Sequence, residues 1–190
     1  MCDSDWHIYL EEVPVARDTA FWVSFESDPS LKKTKQNIYG RCLPCIQDFY
    51  YQLKEGKEKI ALGRAYNCWK VTAVVKSLED ALSLLLEFER MHPVDHVYGK
   101  LGTGRPGAET KVVVFHTDDV GKRDLIRKAL EECALRIGNV VDIQISRACA
   151  ILYEELLGDW REWSSVTRIK HPENVGRILK RIRKVLYWSQ

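Results

Sequence analysis

The stretch that decides the fold begins with WKVTAVVK (residues 69–76) and SLEDALSLLLEFERMHP (77–93). It continues with VDHVYGK (94–100), ETKVVVFH (109–116), TDDVGKRDLIRKALEECALRIG (117–138) and NVVDIQIS (139–146). The apolar period changes from segment to segment. Trp69, Val71, Ala73 and Val75 alternate with their neighbours, which predicts a strand. Leu78, Ala81, Leu82, Leu85 and Phe88 recur at helical spacing, after a Ser77 cap with Asp80 as its capping-box partner. Pro93 ends that helix. Val94 to Lys100 and Glu109 to His116 read as the second and third strands. Thr117 or Asp118 is the expected cap of a second helix, with Leu125, Ala129, Leu130, Cys133, Ala134 and Ile137 as its stripe and Gly138 just past its end. Val141, Ile143 and Ile145 give the fourth strand. The order strand, helix, strand, strand, helix, strand predicts an α+β chain built on a ferredoxin-like βαββαβ sandwich over residues 69–150. Each helix is long enough for a right-handed crossover.

Working outward, residues 1–68 read as an N-terminal β-hairpin and helix packed on that core. Trp6, Ile8 and Leu10 alternate with polar or aromatic neighbours, as do Phe21, Val23 and Phe25, with Pro14 and Asp18 in the connection. Leu43 to about Gly56 suits a helix with Pro44 in its first turn. Residues 151–190 read as a helical extension. It has a short helix near Ala148–Leu157, a corner from Gly158 to Trp163, and a final basic helix from Pro172 to Trp188. The three segments are expected to form one compact domain.

Composition is that of a soluble globular protein, 45% hydrophobic and 29% charged. Four Asn and five Gln, with the high charge, lean toward a heat-adapted source. No apolar run approaches the length of a membrane span, and residues 1–5 have no signal-peptide character. The expected location is the cytoplasm, where six cysteines are expected to stay reduced. Net charge is +2, unevenly spread. Residues 1–31 carry seven acidic side chains and one basic, whereas 32–70 carry nine basic and three acidic. Residues 71–160 carry eleven basic and fifteen acidic, and 161–190 carry eight basic and two acidic. Two basic blocks of this kind favour polyanions.

Four groups of residues carry candidate chemistry. With Val71, Ala73 and Val75 toward the helices, the opposite sheet face is expected to show Lys70, Thr72, Val74 and Lys76. Beside them are expected His96, Tyr98 and Lys100, then Lys111, Val113 and Phe115, then Asp142, Gln144 and Ser146. Cations interleaved with Tyr98 and Phe115 suit a single-stranded nucleic acid, whose bases stack and whose phosphates need neutralising. The Gly-rich run Gly99 to Gly107, with Lys100, Thr103 and Arg105, reads as a wide hairpin loop whose backbone can approach phosphate. The final helix places Arg177, Lys180, Arg181, Arg183 and Lys184 opposite an apolar stripe of Ile178, Leu179, Ile182, Val185 and Leu186. Cys42 and Cys45 form a CxPC pair at a helix start, a redox or metal candidate.

The sequence reading is therefore a nucleic-acid-binding protein, for RNA in particular. It uses the basic hairpin and C-terminal helix through Lys100, Arg105, Lys111, Phe115, Arg177, Lys180, Arg181 and Lys184. One alternative is a non-catalytic regulatory or assembly module that oligomerises through its sheet, as a homodimer for example. Another is a thiol redox or metal protein using Cys42 and Cys45. The chain leans away from enzymes. As an enzyme it is read as a metal-independent RNA-processing nuclease using His116, Tyr98 and Lys100, or as a thiol oxidoreductase. No cofactor is expected, and the partner is nucleic acid or protein rather than membrane.

Overall fold

The computed structural model describes residues 6–12, 21–36, 43–103, 109–147 and 150–187. They form a mixed α+β chain with a six-stranded antiparallel sheet, a second two-stranded sheet and seven helices. The chain divides into two compact units, residues 1–40 with 69–145 and residues 41–68 with 146–190. This differs from the three segments read above. The hairpin strands belong with the central sheet, and residues 41–68 belong with the C-terminal segment.

In the first unit, β1 (Tyr9–Glu12), β2 (Trp22–Glu26), β4 (Trp69–Val75), β5 (Tyr98–Gly102), β6 (Lys111–Thr117) and β7 (Val140–Arg147) make the large sheet. Its order is β1-β2-β5-β6-β4-β7. That order differs from a free-standing four-strand sandwich, because β2 pairs along β5 and carries β1 with it. The hairpin thus extends the sheet sideways. Its alternation sets the register, with Phe25 opposite Gly99 and Val23 opposite Leu101.

A one-turn helix, α1 (Lys32–Thr34), follows β2, and two longer helices cover one face of the sheet. Helix α4 (Leu78–Met91) starts with both bonds of the capping box between Ser77 and Asp80, each 3.0 Å. Helix α5 (Val120–Ile137) is capped by Asp119, whose carboxylate accepts from the Lys122 amide at 2.6 Å. The cap falls there, later than Thr117 or Asp118, because β6 runs on to Thr117 and the Thr117 hydroxyl accepts from the Asp119 amide. The buried stripes are Ala81, Leu84, Leu85 and Phe88 on α4 and Ile126, Ala129, Leu130 and Cys133 on α5. Both follow the spacing i, i+3, i+4, i+7. Leu82 and Leu125, expected in those stripes, are about half exposed, since each lies one position off this pattern. The stripes pack on Phe25, Val71, Ala73, Val75, Leu101, Val113 and Phe115. Each such side chain contributes roughly 1.5–3 kcal/mol when withdrawn from water.

The second unit contains α2 (Leu43–Lys54), β3 (Lys59–Ala61), α3 (Arg64–Asn67), α6 (Ala150–Leu157), β8 (Val166–Arg168) and α7 (Val175–Tyr187). Among the described residues, strands β3 and β8 pair only with each other. Phe49, Leu53, Ile60, Tyr153, Leu156, Trp163, Ile178 and Ile182 build its core. Tyr153 stacks on Phe49 and donates its hydroxyl to the Cys45 carbonyl at 3.1 Å. Among the described residues, no helix is long and apolar enough to cross a membrane.

Candidate nucleic-acid interface

In an antiparallel sheet, directly opposed residues share a face. Three rows therefore cross the side of the sheet turned away from α4 and α5. The first is Glu26, Tyr98, His116 and Lys70, from β2 through β5 and β6 to β4. The second is Ser24, Lys100, Val114 and Thr72, and the third is Trp22, Gly102, Val112 and Val74. The expected face of β4 is thus the observed one, and Tyr98 and Lys100 sit on it.

Strand β6 has the opposite phase from the sequence reading. Phe115 is fully buried, against Phe25 at 4.9 Å and Phe88 at 4.6 Å between ring centroids, so it is core and not a stacking platform. Val113 is likewise buried, and Lys111 lies opposite Val75 on the same phase. The run Val112 to Phe115 is apolar at every position, so alternation gave no phase there. Only pairing with β4 and β5 sets it. That pairing puts His116 on the face with Tyr98 and two lysines.

His116 is 7% exposed and lies beside Tyr98, with ring planes 19° apart and centroids at 5.9 Å. Its Nε2 is buried and has no hydrogen-bond partner among the described residues. Burial holds its pKa well below the ordinary histidine range, helped by the positive charges of Lys70 and Lys100. The ring is therefore neutral near pH 7. Lys70 makes no ion pair among the described residues, and Lys100 places its ammonium 4.0 Å from the centre of the Trp22 ring. Trp22 and the lysine it meets were not brought together by the sequence, because joining them needs β2 to pair with β5.

At the β2 end of the first row, the fully buried Glu26 carboxylate accepts from the Thr34 amide at 2.8 Å and the Lys33 amide at 3.1 Å. His96 Nε2 lies 3.0 Å from its Oε1. Asp28 stands nearby, its carboxyl held below the usual range by the Ser30 amide. One ligand atom each from Glu26, Asp28 and His96 lies within 4.8 Å of the others. The amide bonds already explain this group as a tie that fixes the turn after β2.

The remaining candidates are scattered. Gly99 and Gly102 lie within β5 rather than in a loop, since a Cβ at Gly99 would overlap the Val114 carbonyl oxygen and the Phe25 ring. Arg105 and Cys42 fall outside the described residues. Cys45 is half-buried on α2. Cys133 is a core thiol whose pKa burial pushes up to about 11, the opposite of a reactive cysteine. On α7, Ile178 and Ile182 are buried in the second unit's core, and Lys180 and Lys184 are exposed. Arg177 and Arg181, however, both reach Glu155 at 2.6 Å. No family model, curated protein or solved structure matches this chain.

Proposed function

We propose that this protein binds single-stranded nucleic acid, RNA in particular, on the sheet face carrying Lys70, Lys100, Tyr98, His116 and Trp22. The observation that carries the reading is the pairing register of β2, β5, β6 and β4, which gathers two lysines, two aromatic rings and a neutral imidazole on one face. Lysines neutralise phosphates and release counterions, while Tyr98 and Trp22 offer ring faces to unstacked bases. The β5-β6-β4-β7 part of the sheet, where β6 separates the strands that α4 connects, supports a ferredoxin-like reading of the first unit. Such a protein would meet its RNA in the cytoplasm.

Helix α7 has less to support it as the main contact, because two of its cations already serve Glu155. A second reading, assembly through the sheet, rests on β7. It is an eight-residue edge strand with Val141 55% exposed, and an open edge of that kind can pair with another copy. Sedimentation across protein concentration tests it, and a monomer throughout would dismiss it.

Fluorescence anisotropy with a short single-stranded RNA and a duplex DNA, over a salt series, tests the main reading. Binding should weaken steeply with salt and fall by about a hundredfold in Lys70→Glu with Lys100→Glu. Equal loss in Lys180→Glu with Lys184→Glu, with the sheet variant unaffected, would move the interface to α7. No binding at low salt would discard the reading.

A further inference from the structure

Resting on the RNA-binding reading above, we propose that His116 distinguishes ribose from deoxyribose, its Nε2 forming a hydrogen bond with a 2′-hydroxyl of the bound strand. A buried polar atom with no partner is uncommon in a folded protein and calls for a group that completes it. Nothing among the described residues completes this one. The chemistry of the ring narrows the choice. Neutral imidazole has one donor and one acceptor nitrogen, and which is which depends on the tautomer. A hydroxyl both donates and accepts, so it satisfies Nε2 in either state. A phosphate oxygen accepts only, and it has better partners in the ammonium groups on either side.

Position supports the same assignment. Lys70 lies directly across from His116, and Lys100 lies diagonal to it on β5, in the neighbouring row. A strand whose successive phosphates engage the two lysines passes its sugar over His116. Tyr98, adjacent to the ring, is then placed for a base. The 2′-hydroxyl is the group by which a protein tells RNA from DNA at one position. Nε2 is shielded in the free protein, so the surrounding side chains must move when RNA binds. Lysine stems are long enough to swing aside as their ammonium groups take up phosphate.

The test uses the full chain and three oligonucleotides of one sequence: RNA, DNA with uracil for thymine, and RNA with 2′-O-methyl groups. The wild-type protein should prefer RNA to DNA by about tenfold, the scale of one well-made hydrogen bond to a buried group. In His116→Phe the preference for RNA over DNA should shrink to less than about twofold, and His116→Gln should restore part of it. The His116 ring nitrogen resonances should shift on adding RNA and stay in place on adding DNA. Equal wild-type affinity for RNA and DNA overturns the proposal while leaving nucleic-acid binding intact. So does an unchanged preference in His116→Phe. If neither oligonucleotide binds, the underlying reading fails and this proposal fails with it. Should both variants fail to fold, the wild-type comparison and the resonances still decide.

Discussion

Helix α7 in one unit and the sheet face in the other place their cations beside different groups. In the helical unit, Arg177 and Arg181 stand one turn apart on α7 and converge on the single carboxylate of Glu155. On the sheet face, Lys70 and Lys100 come from different strands and their charges act on a neutral histidine, while the Lys100 ammonium sits over the Trp22 ring. The basic C-terminal block is the more conspicuous feature of the sequence. Arg177 and Arg181, two of the five cations picked out on that helix, nevertheless have a carboxylate beside them. The sheet lysines lie thirty residues apart at the two ends of a mildly acidic stretch, and the positive charge of both acts on one imidazole. Local charge density is therefore a poor guide to where a polyanion docks. What matters is also which groups the fold places beside each base, as it places Glu155 beside Arg177 and Arg181.

The largest effect that would break this contrast concerns the sheet's phase. Phe115→Ala should lower stability by about 3–5 kcal/mol, as removal of a buried ring does, measured by urea denaturation. A loss under 1 kcal/mol would mean that Phe115 is not core, and the three-row face would be wrong. Next, Lys70→Glu with Lys100→Glu should weaken RNA binding by about a hundredfold at moderate salt and flatten the salt dependence. An affinity within about threefold of wild type would erase the distinction between the units.

A smaller effect belongs to His116. Its pKa is depressed on folding, so the unfolded chain binds the extra proton first. The histidine's full contribution holds above about pH 6.5, the unfolded value. Stability should fall as pH drops from there toward the folded pKa, by at most about 1.4 kcal/mol per pH unit. Denaturation of wild type and His116→Gln between pH 7.5 and 5 isolates this, and identical slopes would show the ring is not buried neutral. The smallest effect is at Glu155. Glu155→Gln should cost only about 0.5–1 kcal/mol, because both arginines are half exposed. It should also raise RNA affinity modestly if freed arginines on α7 can contribute. Unchanged affinity would sharpen the contrast by assigning binding to the sheet alone.

How much of this was legible beforehand varies by element. The strand face of Lys70, Thr72 and Val74 was readable because Val71, Ala73 and Val75 alternate with more polar residues. Helix α4's start was readable because Ser77 and Asp80 make a local motif. The stripes of α4 and α5 were readable to within one residue, since Leu82 and Leu84, or Leu125 and Ile126, are equally apolar. Nothing local favours one of each pair. Strand β6 was not readable in phase, as Val112, Val113, Val114 and Phe115 satisfy either face.

By itself, the sequence determined the main helices and strands of residues 69–146 and their order, the helices near 43–54 and 175–187, and the presence of two basic blocks, but not the short strands β3 and β8. Those are properties of neighbouring residues, set by side-chain period, caps and turn formers within a few positions. Tertiary structure alone decided that the N-terminal hairpin extends the sheet, that His116 faces two lysines, and that Glu155 holds two arginines. Each of these depends on which distant strand or helix comes alongside. A one-residue change in pairing register exchanges the two faces of a strand without altering its local pattern.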